Sequence, residues 1–311
     1  MPTKKWTRRK FIRSTATTAA ALPLAGRVPA LRAAPPPACV LNQEQEEGPY
    51  YVNREILRGD ITEGKIGVPL RLRVTIVAVK TCRPIPNAAL DIWHCDASGV
   101  YSGYTAFHPG GPGFGGGPGG RRPGTPSASE NGGPPPGGPP MGGPGGGPPK
   151  HPPTDDKVFL RGVQLSNAEG VVEFTTIYPG HYMGRVNHIH MKVHVGGSAS
   201  TALSPASGGS AALPEYSGGH VAHSGQMFFP EDISKFVTAT HPYADHKVHR
   251  TTIEEDMVFN GQNGAAAIAS LTPINSTQFS DGYIATLTVA IDPDATPDPA
   301  DRGLSIPILE R

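Results

Sequence analysis

The chain has 311 residues and a formal net charge of +1, with 27 Lys and Arg against 26 Asp and Glu. That balance supplies no basic surplus for a polyanionic partner such as a nucleic acid, and the length allows one large domain or two small ones. With 40 Gly and 35 Pro, about a quarter of the chain, the composition excludes a helical bundle and fits short strands joined by turns plus an unstructured tract. The three cysteines, Cys39, Cys82 and Cys95, allow at most one disulfide, and no CxxC spacing suggests a zinc site.

At the start, "TRRKFIR" (Thr7 to Arg13) precedes the weakly apolar "STATTAAALPLAG". The run is too short and too polar for a finished membrane span. Residues 1–34 are therefore expected to be a twin-arginine export signal with its linker, directing the protein to the periplasm or the cell exterior with no stable membrane insertion after processing. Residues 35–311 are expected to form one domain. "VPLRLRVTIVAV" alternates, with Leu70, Leu72, Val74 and Ile76 on one face and Arg71, Arg73 and Thr75 on the other, the period of a half-buried strand. After the turn "RPIPNA", the segments "ALDIWHCD", "VFLRGVQLS", "VVEFTTIYPG" and "HIHMKVHV" read as strands, and "GQMFF", "DMVF" and "YIATLTVAID" as further candidates. "ISKFV" starts a short helix. This pattern predicts an all-β fold, a sandwich of mixed and antiparallel strands with immunoglobulin-like architecture. Residues 109–153, "PGGPGFGGGPGG…GGGPPKHPP", carry no periodic apolar face and read as a flexible insert between two strands of that domain.

"HYMGRVNHIHMKVHV" (181–195) concentrates ligand-type side chains. In a strand His188, His190 and His194 share a face, and two imidazoles at i, i+2 can converge on one metal about 2 Å from each. Tyr182 precedes them, and Tyr101 ends "DIWHCDASGVY". A phenol, with a pKa near 10, becomes a ligand only beside a hard, highly charged cation such as Fe(III). Two other readings remain open here. One is a cupin-like enzyme using His188, His190 and His194 with Fe(II), Cu or Zn; the other is a non-catalytic periplasmic binding sandwich.

The order "EGPYY", "PIPNAALDIWHCDASGVYSGY", "FLRGVQLSNAEGVVEFTTIYPGHY" and "RVNHIH" resembles the intradiol ring-cleavage dioxygenases, and "GQMFFPEDI" and "HPYADHKVHRTTIEEDMVF" extend the likeness more loosely. The resemblance implies a non-haem Fe(III) held by Tyr101, Tyr182, His188 and His190. It implies that Tyr182 is the axial tyrosinate that yields its place to substrate. Arg185 takes the position of the family's active-site arginine. Gln226 matches the glutamine just outside the iron ligands of catechol dioxygenases. The implied reaction cleaves a small aromatic diol with O2 between its two hydroxylated carbons, giving a muconate-type diacid. His181 and His194 match no ligand of the family. The Tyr182-to-His188 spacing is short for the family, and no long helical segment precedes Gly67.

Overall fold

The computed structural model describes residues 39–106, 152–204 and 213–298. The expected export signal at 1–34 and nearly all of the expected 109–153 insert therefore lie outside the described residues. Eight strands are β1 (Pro69–Ala78), β2 (Ala89–Trp93), β3 (Arg161–Leu165), β4 (Val171–Ile177), β5 (His188–Ser204), β6 (Leu213–Phe228), β7 (Ser270–Pro273) and β8 (Tyr283–Ile291). They form two four-stranded sheets, ordered β4-β1-β8-β7 and β3-β2-β5-β6. The β1–β8 pair is parallel and the other pairs antiparallel, so the expected all-β sandwich of mixed strands is what forms.

Alternation decides which side chains meet. β1 buries Leu70, Leu72, Val74 and Ile76 and exposes Arg71 and Arg73. Those four pack in one cluster with Leu90 and Ile92 of β2, Ile189, Met191 and Val193 of β5, and Val289 and Ile291 of β8. Each such aliphatic side chain contributes about 1.5–3 kcal/mol by leaving water. The odd residues of β2 and the even residues of β5 then face away from that core. Asp91, Trp93, His188, His190, Lys192 and His194 are nevertheless buried. The extended segment 42–58 lies over them, bonded through Gln45 N to Ser224 O, Leu57 N to Pro214 O and Arg58 N to Val163 O. The fold thus encloses a polar layer between this segment and the outer face of its second sheet.

Two local expectations change. "DMVF" is not a strand: Asp256 accepts from Val258 N (2.8 Å) and Phe259 N (3.0 Å), capping a short helix that runs Met257–Gly261. The cap satisfies helix donors that a strand pattern of three apolar residues cannot reveal. The hairpin of β5 and β6 extends well beyond "HIHMKVHV" and "GQMFF", because main-chain pairing continues through Gly-, Ser- and Ala-rich sequence that has no apolar alternation. "ISKFV" does lie in a helix, Glu231–Thr238.

Cys39 and Cys82 are joined by a disulfide across 43 residues, tying the covering segment to the turn after β1. In the chain-entropy view a loop of that length is worth about 4 kcal/mol. Cys95 is free and buried.

His94 follows β2 and bridges to the other sheet. Its Nδ1–H donates to Cys95 O and its Nε2 accepts from Thr176 Oγ1, both at 2.8 Å. Burial lowers its pKa to about 4. A base depressed from about 6.5 contributes stability that is whole above pH 6.5 and is lost as pH falls through 4. The shift corresponds to about 3 kcal/mol. In His94→Gln the decline of unfolding free energy between pH 6.5 and 4.5, followed by denaturant titration, is expected to be shallower by up to about 1.4 kcal/mol per pH unit. An unchanged slope would show that His94 titrates alike in both states.

The two stems of the insert are stitched together. Asp155 accepts from Gly103 N (3.1 Å), Thr105 N (2.8 Å) and Thr105 Oγ1 (2.7 Å), and Thr154 N donates to Gly103 O at 2.7 Å. Closure there does not depend on the length between the stems, and loop entropy changes by only about 0.6 kcal/mol per doubling of length. Deleting residues 110–150 is expected to leave the melting temperature within a few degrees and metal content unchanged. A deleted protein that fails to fold or to retain metal would make the segment structural.

Candidate metal centre

Local sequence explains how each donor is placed. After β2, Asp96 Oδ1 accepts from Ser98 N, Ser98 Oγ and Val100 N (3.0, 2.7 and 3.1 Å), and Gly99 takes a positive φ. This tight turn delivers Tyr101 to the polar layer. Arg161 holds the next residues, donating to Ser102 Oγ (2.8 Å), Ser102 O (2.7 Å) and Tyr50 O (2.7 Å). Tyr182 starts a turn closed by Arg185 N to Tyr182 O at 3.1 Å. His188 and His190 open β5 on the covered face.

The structure brings Tyr101, Tyr182, His188 and His190 together. His188 Nε2 lies 3.1 Å from His190 Nε2 and 3.3 Å from Tyr182 Oη. The rings of Tyr101 and Tyr182 are 5.9 Å apart, and those of Tyr101 and His190 6.2 Å. Tyr101 Oη is buried and has no hydrogen-bond partner among the described residues. His188 Nδ1–H donates to Val186 O at 2.6 Å, which leaves the Nε2 lone pair facing the cluster. Two imidazole nitrogens at a right angle about a metal ion roughly 2.1 Å from each would lie about 3 Å apart. The set therefore fits one metal ion with two nitrogen and two oxygen donors.

Burial drives the protonation of these groups. It raises both phenols: Tyr101 is lifted further by Tyr182, while the Arg185 charge partly opposes the rise at Tyr182. It lowers both imidazoles, with Arg185 adding to the effect at His188, and His188 and Arg185 adding to it at His190. Neutral imidazoles are ready ligands, whereas phenols this reluctant to ionise become anions only beside a strongly charged cation.

Packing fixes the donors. The indole of Trp93 stacks on His190 at 5.1 Å and 5°. Tyr50 stacks on Tyr101 at 4.5 Å and meets Tyr182 edge-on at 6.2 Å. Gly48 has φ +73°, and a Cβ there would stand 3.1 Å from His190 Cε1, so the covering segment approaches the ring in a conformation that favours glycine.

Arg185 is buried beside the four donors. Its Nε donates to Asp256 Oδ2 (3.0 Å), its Nη1 to Glu46 Oε1 (3.1 Å) and its Nη2 to Gln226 Oε1. Burial works against its charge, but Tyr182, Asp256 and Glu46 outweigh it and raise its proton affinity. Gln226 pairs with His190 across β5 and β6, and its Nε2 donates to Glu46 O at 2.9 Å. Asp256 also accepts from Val186 N at 2.9 Å. Sequence reasoning gave Asp256, Glu46 and Tyr50 no role. "DMVF" reads as a strand, and nothing in the sequence ties Asp256 to Arg185. His194 does not join His188 and His190; it faces Glu55 and Asp91, so the three-histidine arrangement does not form. His181 packs against His246 instead.

The sandwich and its buried pair of tyrosines and pair of histidines define a β protein with a candidate metal centre. Among the solved structures that match it are an intradiol ring-cleavage dioxygenase from Tetranychus urticae and a second crystal structure of a dioxygenase. Each is 30% identical, with a TM-score of 0.59 over 84% of this chain and 98% of the other. No protein-family model and no curated protein matches the chain. On that identity and coverage, the chain belongs to the intradiol ring-cleavage dioxygenase family.

Proposed function

We propose that this chain is an Fe(III)-dependent intradiol dioxygenase that opens a catechol-type ring between its two hydroxylated carbons, with O2 as co-substrate and a muconate-type diacid as product. The observation that carries the reading is the convergence of His188 Nε2, His190 Nε2 and Tyr182 Oη within 3.3 Å of their neighbours, beside a Tyr101 Oη that has no hydrogen-bond partner among the described residues. Fe(III) held by Tyr101, Tyr182, His188 and His190 would supply Lewis acidity and a template for the diol and O2. Both oxygen atoms enter the diacid, so no external reductant is needed.

The chain's own residues do the rest. As the tyrosinate that Fe(III) would stabilise, Tyr182 Oη would accept a proton from the entering diol. The Arg185 guanidinium stabilises negative charge that develops on the ring. Asp256, Glu46 and Gln226 fix its orientation, so little reorganisation is needed during reaction. Trp93 and Tyr50 hold the imidazole and phenol rings in place and keep water out.

Export through the twin-arginine route belongs to the same proposal. The Cys39–Cys82 disulfide supports it, since such bonds persist in oxidising compartments. The test of function is oxygen uptake by iron-loaded protein across a panel of catechols, with product identification. One O2 consumed per ring and a diacid cut between the hydroxylated carbons is expected. No uptake across the panel, or cleavage beside rather than between the two hydroxyls, would overturn it.

A further inference from the structure

The polar layer holds a second cluster that the four-donor centre does not use. Along β2 and β5 the register runs Trp93 with His190, Asp91 with Lys192, and Ala89 with His194. His194 therefore lies four residues beyond His190 on the same face, about 13 Å along the strand. There the donor atoms of Glu55, Asp91 and His194 all lie within 4.8 Å of one another. The shift in β5–β6 pairing falls between Val193 and His194, where a bulge re-aims a side chain.

Three observations set this cluster apart from an ordinary group of acidic residues. His194 is 95% buried, yet its Nε2 has no hydrogen-bond partner among the described residues, while its Nδ1 stands 3.9 Å from Glu55 Oε1. Asp91 is equally buried, and Glu55 is largely so. Glu55 and His194 line a cavity of about 430 Å³ with Glu215, Tyr216 and His220, which gives an ion a way in. Tyr51 Oη donates to Glu55 Oε1 at 3.4 Å. Lys192 and Arg161 favour the carboxylate charge only in part while also holding Glu47 and the Tyr50 and Ser102 carbonyls, so burial still dominates at both carboxylates.

We propose that Glu55, Asp91 and His194 form a second metal site that takes a divalent transition-metal cation of the zinc type. One imidazole and two carboxylates match that donor preference, and three protein ligands leave a position open towards the cavity. Tetrahedral ligands about 2.1 Å from zinc lie roughly 3.4 Å apart, so modest side-chain rotation closes the site. Burial, with the Glu55 charge adding to it, pushes Asp91 up to about 7, and burial brings His194 down to about 4. A divalent cation relieves the carboxylates and finds the imidazole already neutral. Glu55 lies on the covering segment that also carries Glu46, Gly48 and Tyr50, so the ion would clamp that segment to the sheet. The site is independent of the ring-cleavage reading.

The test is calorimetric titration of Zn(II) into full-length, iron-loaded protein, with melting temperature and visible spectrum followed in parallel. Wild type is expected to take up one Zn(II) per chain saturably and to melt higher, with the iron absorption unaltered. His194→Ala and Glu55→Gln are each expected to weaken that binding at least tenfold while keeping the iron absorption. If one variant does not fold, the other is read alone. No saturable binding to wild type, or undiminished affinity in a folded variant, would overturn the proposal.

Discussion

Tyr101→Phe is expected to bleach or shift the visible absorption of the iron-loaded protein without costing stability. The phenol oxygen is buried with no hydrogen-bond partner among the described residues, so removing it leaves no group there unsatisfied and relieves a desolvated hydroxyl. The ring keeps its stack on Tyr50 at 4.5 Å. A tyrosine present for packing alone would tolerate the change unnoticed. As a metal ligand its loss removes a tyrosinate-to-Fe(III) transition and lowers turnover by more than the roughly 10–100-fold that the outer hydrogen-bond partners of metal ligands are worth. Melting temperature, iron content, spectrum and oxygen uptake of the one variant check each part. An unchanged spectrum with full iron content would remove Tyr101 from the centre.

Arg185→Leu is expected to carry two costs. Turnover should fall by roughly 10²-fold or more, the scale of one lost electrostatic stabiliser. Stability should fall by about 3–5 kcal/mol, because Asp256 and Glu46 would lose the buried charge they face. Arg185→Lys separates the effects: it keeps the charge and loses the fork that reaches Asp256, Glu46 and Gln226 together. The lysine variant should hold iron and colour yet turn over at least tenfold more slowly. Normal turnover in either folded variant would take Arg185 out of the reaction.

Legibility followed the physics of each feature. β1 could be read because period two sorts Leu70, Leu72, Val74 and Ile76 from the arginines between them. The same period placed His188 and His190 on one face, so the heart of the site was visible from local spacing. What made that face buried was not visible. The segment carrying Glu46, Gly48 and Tyr50 is remote in sequence from β5, and it is held by main-chain pairing and by long-range side-chain contacts such as Glu46 with Arg185 that no local pattern marks. Asp256 is the sharpest case: "DMVF" offered strand-like residues, and the link from Asp256 to Arg185 spans 71 positions. The hairpin through "GGSAS" escaped because glycine and serine leave no apolar alternation to read.

The most direct test of the central claim is the visible spectrum of iron-replete wild-type protein, taken with a metal count. Fe(III) bound by Tyr101 and Tyr182 should give a broad tyrosinate-to-iron charge-transfer band and a burgundy solution, at one iron per chain. A colourless protein with one iron per chain would contradict it, because no tyrosinate could then be bound to the metal.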